Sequence, residues 1–163
     1  MHPWVTRMLD FFTAARTVTV MRRIFIARDA AVVGRFLADV ENLPRFEPKL
    51  ESVKIIEGRE GMPKRMRARA RIATFTRDFE IDYAPHARGF KSATCDIRFA
   101  KFSGGFFVRK VGGGCVVSHV ERYEFKSLLI AHTAGRIWRW YANRSIDREV
   151  AELKKILERQ DPI

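Results

Sequence analysis

Residues 115–125 read CVVSHVERYEF, and residues 126–157 continue as KSLLIAHTAGRIWRWYANRSIDREVAELKKIL. Within this stretch the hydrophobic period changes once. Apolar and polar residues alternate over Cys115–Phe125, which predicts a strand with one buried face. From Ile130 to Leu157 apolar residues recur every three or four positions, which predicts a helix of roughly 40 Å. Because a helix so long and one-sided needs a sheet to cover its apolar stripe, this stretch predicts a sheet packed against a closing helix.

The chain before this stretch predicts more strands and two short helices. Thr17–Arg28 alternates and is rich in β-branched residues, which suits a first strand. Asp29 is placed to cap an amphipathic helix that runs to Val40, and a second helical turn follows around Leu43–Phe46. From Leu50 onward the period of two returns and predicts an antiparallel meander. The predicted fold class is therefore α+β, with the long helix lying across a curved sheet.

The composition predicts one folded domain and excludes several classes of protein. The chain has 163 residues, 47% of them hydrophobic, and a formal charge of +12. Thirteen Phe and three Trp supply ample apolar surface for a core, which argues against disorder. No apolar run approaches the roughly 18–20 residues of a membrane-spanning helix. Two cysteines, Cys95 and Cys115, are too few for a disulfide scaffold and are interpreted as core thiols, with a cross-strand bridge as the alternative.

The first sixteen residues are predicted to be an N-terminal extension, followed by a single domain over residues 17–159 and a tail over 160–163. Apolar residues at helical spacing predict a short amphipathic helix in the extension, either docked on the domain or dipping into a lipid surface. These residues are Trp4, Val5, Met8, Leu9 and Phe12. Arg7 and Asp10 interrupt the apolar run, so we expect no secretory signal. The expected location is the cytoplasm, with peripheral membrane contact left open.

Two motifs carry a resemblance to a known family. With the predicted order of elements, Asp39-Val-Glu-Asn-Leu-Pro-Arg-Phe-Glu-Pro48 and Tyr123-Glu-Phe-Lys-Ser127 resemble the helix-grip proteins of the START/SRPBCC superfamily, in particular its polyketide cyclase and coenzyme Q-binding branch. The resemblance covers about residues 17–159. It implies a seven-stranded antiparallel sheet around the C-terminal helix, with an elongated apolar cavity between them. Members bind sterols, lipids, quinones, polyketides or plant hormones, and only some are enzymes.

Strand alternation predicts which polar side chains enter that cavity. The inward set of residues 115–125 includes His119 and Glu121, and the inward set of residues 75–83 includes Arg77. A lone buried guanidinium is costly, and Glu121 is its natural partner. We therefore predict an Arg77–Glu121–His119 cluster, which either orients the oxygen atoms of a ligand or closes one end of the cavity as a structural ion pair.

These considerations predict binding or transport of a small hydrophobic ligand, which can be a lipid, a quinone or a polyketide-like molecule. The predicted ligand-binding residues are Arg77, Phe79, Tyr83, Phe106, His119, Glu121, Tyr123, Trp138 and Tyr141. For the aromatic residues the alternative role is core packing. An alternative function is a polyketide cyclase or dehydratase in which His119 accepts a proton and Arg77 or Tyr83 holds the developing enolate. The four histidines show no metal-binding spacing, so we expect no metal and no cofactor.

The positive charge gives a third hypothesis. Arg65, Arg67, Arg69 and Arg71 alternate along one strand, so their side chains project together from the outer face at a spacing of about 6.6–6.8 Å. Such a face attracts RNA, a ribosome or anionic lipid headgroups. The family's similarity to ribosome-associating bacterial toxins keeps this hypothesis open. The alternative is a solvated face, neutralised in part by carboxylates of the neighbouring strand, namely Asp78, Glu80 and Asp82.

Overall fold

The computed structural model describes residues 16–59, 62–72, 75–86, 89–97 and 99–159. The strands are β1 Thr17–Ile26, β2 Leu50–Arg59, β3 Met62–Ile72, β4 Phe75–His86, β5 Gly89–Ile97, β6 Ala100–Val111 and β7 Gly114–Phe125. The helices are α1 Ala30–Ala38, a 3-10 turn at Val40–Asn42, α2 Leu43–Phe46 and α3 Leu128–Arg159. In the described part of the chain these strands form one antiparallel sheet in the order β1-β7-β6-β5-β4-β3-β2. The predicted α+β helix-grip class is confirmed.

The long C-terminal helix is present and buries the second half of the stripe that its sequence predicts, whereas Ile137 in the first half is 70% exposed. α3 has 32 residues, and it lies against β1 and β7. Its buried positions include Ala142, Ile146, Val150 and Leu153, which keep the spacing of three and four. None of the helices in the described ranges is both long enough and apolar enough to cross a membrane.

The two short helices also follow their sequence signals. Asp29 caps α1, its side-chain carboxylate accepting a hydrogen bond of 2.8 Å from the backbone N–H of Ala31. Pro44 lies in the first turn of α2, where a missing N–H costs no helical hydrogen bond. These helices lead the chain from β1 back to β2, so residues 47–50 pass close to the middle of α3.

The faces of two strands agree with the alternation in the sequence. In β7 the inward set is fully buried and comprises Cys115, Val117, His119, Glu121, Tyr123 and Phe125. In β3, Met66, Ala68 and Ala70 are buried while the arginines between them are exposed. Cys115 is a free buried thiol whose pKa burial raises, as expected of a core cysteine. The side chain of Cys95 and the predicted N-terminal helix lie outside the described residues.

Two phenylalanines provide a direct test of this core. Phe46 is fully buried and packs edge-to-face on Phe106 with ring centroids 5.5 Å apart, whereas Phe75 is 68% exposed. Phe46→Ala is expected to lower the free energy of unfolding by about 3–5 kcal/mol, because it leaves a cavity in a packed core. Phe75→Ala, the matched control, is expected to change it by no more than about 0.5 kcal/mol. Urea unfolding of both variants measures the difference, and equal effects would contradict the assigned packing.

Candidate functional site

A cavity of about 110 Å³ lies between the sheet and α3 and is partly open to solvent. Its lining is mostly apolar and comes from the segment around α2, from β3, β4, β6 and β7, and from α3. The lining residues are Leu43, Glu47, Lys49, Leu50, Met66, Ala68, Ala70, Phe79, Ile81, Phe102, Gly105, Phe106, His119, Glu121, Tyr123, Trp138 and Tyr141. The inner end, around Phe106 and His119, is fully buried, while the residues nearest to solvent are only half-buried.

Most of the side chains predicted to reach the cavity do line it. They are Phe79, Phe106, His119, Glu121, Tyr123, Trp138 and Tyr141. Several of these aromatic side chains also pack against each other, in agreement with the alternative prediction that they fill the core. Trp138 lies edge-on to Tyr123 with centroids 5.3 Å apart, and Phe102 tilts against Tyr123 at 5.1 Å.

Arg77 and Tyr83 do not line the cavity. Arg77 shares the inward face of β4 but is exposed, because β4 begins outside the core. Burial of this face starts at the half-buried Phe79 and continues through Ile81 and Tyr83. The predicted pairing of Arg77 with Glu121 is therefore wrong. Tyr83 is buried at the other end of β4, and its hydroxyl contacts the backbone carbonyls of Leu37 and Ala38 at 3.3 and 3.2 Å. Burial raises the pKa of Tyr83, so its hydroxyl stays neutral. Through these two contacts Tyr83 connects β4 to α1.

Lys49, and not Arg77, is the cation that pairs with Glu121. Its ammonium group donates to Glu121 Oε1 at 2.5 Å and lies 3.0 Å from Glu149 Oε1. Tyr123 donates to the other oxygen of Glu121 at 2.8 Å, and Ser145 donates to Glu149 Oε1 at 2.8 Å. Burial lowers the pKa of Lys49, but the two carboxylates outweigh burial and hold that pKa well above its usual value. Lys49 thus links the sheet to α3 as a permanently charged group.

His119 lies beside this ion pair on β7. Its ring stacks on Phe106 with centroids 3.8 Å apart, and its Nδ1 lies 3.3 Å from Glu149 Oε2. Its Nε2 lies 4.0 Å from Glu121 Oε1. Burial lowers the pKa of His119, although Glu149 and Glu121 oppose the effect. The imidazole is therefore neutral at pH 7.

Glu47 completes a group of buried polar side chains, which we call the polar wall: Glu47, Lys49, His119, Glu121 and Glu149. Burial raises the pKa of Glu47 well above its usual range, and Glu149 adds to the effect. The wall places three carboxyl groups against one ammonium group. Among the described residues, His119 Nδ1, Glu149 Oε2 and Trp138 Nε1 are buried without a hydrogen-bond partner.

Sequence reasoning missed Glu47, Lys49 and Glu149. Glu47 and Lys49 flank Pro48 at the end of the resemblance motif, where nothing local predicts which way the side chains turn. Glu149 did leave a signal, because it is a charged residue within the buried stripe of α3, between Ile146 and Val150. A fully buried carboxylate at such a position requires a polar partner.

The arginine-bearing outer face of β3 is exposed, as predicted, but each of its guanidinium groups has a carboxylate partner. Arg65 pairs with Asp82 and Arg67 with Glu80, both at 2.9 Å. The two remaining arginines of this face, Arg69 and Arg71, share Glu51 of β2. Glu51 thus takes the role expected of Asp78. These pairs match the alternative of a solvated face that carboxylates neutralise in part.

Comparison with known proteins agrees with this fold. The chain belongs to the polyketide cyclase / dehydrase and lipid transport family, whose model matches residues 17–158. Among solved structures it is similar to a START superfamily protein from Mycobacterium smegmatis, with a TM-score of 0.72 and 15% identity over 86% of this chain and 97% of that one. It is also similar to the Zhui aromatase/cyclase from Streptomyces sp. R1128, with a TM-score of 0.75 and 14% identity over 90% and 96%. No curated protein sequence gave a match. At these identities the structural similarity establishes the fold alone.

Lys49→Met tests the electrostatics of the polar wall. Removing the ammonium group leaves Glu121 and Glu149 buried without their counter-charge, which is expected to cost about 3–5 kcal/mol in the free energy of unfolding at pH 7. Lys155→Met is the matched control, since Lys155 forms an exposed pair with Glu152 and its loss is expected to cost less than about 1 kcal/mol.

Adding Glu121→Gln and Glu149→Gln to Lys49→Met removes the uncompensated charges and is expected to restore much of the lost stability. Urea unfolding at pH 7 measures all the variants. A Lys49→Met protein as stable as the Lys155→Met control would show that Lys49 does not neutralise the wall.

Proposed function

We propose that this protein binds a small, mostly apolar ligand in the cavity and holds the ligand's polar end against the polar wall. One observation carries the proposal: an apolar cavity whose inner end is formed by buried polar atoms, some of which have no partner in the described residues. Ligand sites combine apolar lining with a few convergent polar groups in this way. The family description, which includes lipid transport, supports the same class of function.

The size of the cavity limits the ligand. An engineered apolar cavity of about 150 Å³ binds benzene, and pockets for drug-sized molecules measure about 300–1,000 Å³. At about 110 Å³ this cavity encloses roughly one ring or a short chain. A longer lipid, quinone or polyketide would extend through the open side, past Leu50, Phe79 and Tyr141.

The surrounding side chains support distinct roles toward such a ligand. Phe79, Phe106 and Tyr141 would enclose its apolar part. Trp138 would donate its buried indole N–H, which has no acceptor among the described residues, to a ligand oxygen. Glu121 is already engaged by Lys49 and Tyr123, so its role is to hold the wall in place.

Filling the cavity should abolish binding. Ala70 is buried in the lining, and the neutral probe N-phenyl-1-naphthylamine would place its phenyl ring in the cavity and its naphthyl group at the open side. Ala70→Phe is expected to weaken binding of this probe at least tenfold by occupying the space of the phenyl ring. Ala151→Phe places the same side chain on the exposed side of α3 and is expected to bind like wild type.

Fluorescence titration measures the affinity, circular dichroism confirms that each variant is folded, and native mass spectrometry of wild type looks for a co-purified ligand. A wild-type protein that binds neither the probe nor a co-purified molecule would contradict the proposal. If folded Ala70→Phe and Ala151→Phe bind the probe with equal affinity, the probe binds outside the cavity.

A second candidate function is a cyclase or dehydratase reaction with His119 as the base. The observation that favours it is the distance of 3.3 Å between His119 Nδ1 and Glu149 Oε2. If Glu149 holds a proton on Nδ1, Nε2 is left as a proton acceptor. Lys49, rather than Arg77 or Tyr83, is then the group placed to stabilise an enolate oxygen.

The two candidates differ in the effect of one substitution. If the protein is an enzyme, His119→Ala should reduce turnover of an aromatic polyketide by at least a hundredfold while leaving ligand affinity within a few-fold, because base catalysis contributes about 10²–10⁴. His132→Ala, on the exposed side of α3, is the control. Product analysis by mass spectrometry measures turnover, and equal turnover by wild type and His119→Ala would rule out this role.

A further inference from the structure

We propose that Glu47, His119 and Glu149 form a binding site for a divalent transition-metal ion beside the cavity, which Glu47 and His119 line and Glu149 reaches through its contact with His119. The three residues come from separate elements: Glu47 follows α2, His119 lies on β7, and Glu149 lies on α3. Each is buried and offers one ligand atom, and these atoms all lie within 4.8 Å of one another. The fold therefore collects one imidazole nitrogen and two carboxylate oxygens around one point.

One pair of nitrogen and oxygen atoms in this group has the spacing of two ligands on one ion. His119 Nδ1 and Glu149 Oε2 lie 3.3 Å apart. Bonds of about 2.0–2.2 Å to a zinc-like ion, at tetrahedral or octahedral angles, place neighbouring ligand atoms about 3.0–3.5 Å apart. The ligand atom of Glu47 lies within 4.8 Å of both of the other ligand atoms.

A second observation, the unsatisfied hydrogen bonding of two of these buried atoms, also points to an ion. His119 Nδ1 and Glu149 Oε2 face each other without a hydrogen-bond partner among the described residues, and their side chains are 4% and 0% exposed. Buried polar atoms are nearly always paired in native proteins, so two unpaired atoms side by side require an explanation. An ion that accepts a lone pair from each would satisfy both.

Lys49 is compatible with this site because it uses different atoms. It contacts Oε1 of Glu149, which Ser145 also holds, and leaves Oε2 to face His119. Such partners commonly fix the orientation of a metal-binding carboxylate.

The donor set indicates the class of ion. One imidazole nitrogen and two carboxylate oxygens suit Zn²⁺, Mn²⁺ or Fe²⁺ better than Cu⁺ or an iron–sulfur cluster, which prefer sulfur ligands. Three protein ligands leave a coordination position for a ligand oxygen in the cavity. The sequence prediction of no metal considered spacing along the chain, whereas these donors meet only in the folded structure.

This proposal goes beyond ligand binding and bears on the enzyme candidate. An ion on Nδ1 takes the lone pair of the nitrogen that would otherwise carry the proton shared with Glu149. The metal-bound protein therefore uses His119 as a ligand, and base catalysis supported by Glu149 is confined to the metal-free protein.

Isothermal titration of tag-free, chelator-treated protein with Zn²⁺ and with Mn²⁺ tests the site. We expect one ion per chain with a dissociation constant in the micromolar range or tighter. His119→Ala and Glu149→Gln should each weaken binding at least tenfold. The controls His132→Ala and Glu152→Gln remove the same groups from exposed positions on α3 and should leave the affinity unchanged.

Two further measurements keep the test decisive if a variant does not fold. Pulsed electron paramagnetic resonance of Mn²⁺ bound to wild type should detect one histidine nitrogen, and Zn²⁺ should raise the melting temperature of wild type. Binding weaker than millimolar, a bound Mn²⁺ without nitrogen coupling, or equal affinities of the site and control variants would overturn the proposal. No organic ligand is present in these experiments, so their failure is distinct from failure of the proposed function.

Discussion

The rest of the site depends on one interaction, the pairing of the Lys49 ammonium group with two buried carboxylates. The ammonium group is held between Glu121 of the sheet and Glu149 of the closing helix, and so connects the two layers of the fold at their centre. Buried charges cost several kcal/mol each unless they are paired and hydrogen-bonded. The position of α3 over the sheet is therefore constrained by this bridge as well as by the apolar stripe.

The cavity is a consequence of the same arrangement. Aromatic and aliphatic side chains fill most of the space under α3, but where the polar wall meets that space the packing is incomplete and some buried polar atoms lack partners. Protein interiors are usually packed as densely as organic crystals, so a gap beside unpaired polar atoms is the feature on which both proposals rest. The proposed apolar ligand and the proposed metal ion would occupy adjacent sites.

Much of the fold follows from local sequence patterns, because periods of two and 3.6 record which face of each element is buried. The same alternation placed His119 and Glu121 inward, and both are buried. Alternation shows which face of a strand a side chain lies on, but not how deeply that part of the strand is buried. For this reason Arg77 lies on the inward face of β4 and yet outside the core. Glu47 and Lys49 enter from a connecting segment, where no periodicity exists, and their positions depend on how that segment packs on α3.

The most direct measurement is a high-resolution crystal structure of the protein purified without added ligand. The account predicts that Lys49 lies within hydrogen-bond distance of both Glu121 and Glu149, and that electron density for a non-protein molecule or ion fills the space between Trp138, Phe106 and the polar wall. A structure in which Lys49 points into solvent, and the rings of Phe106 and Trp138 close that space completely, would contradict it.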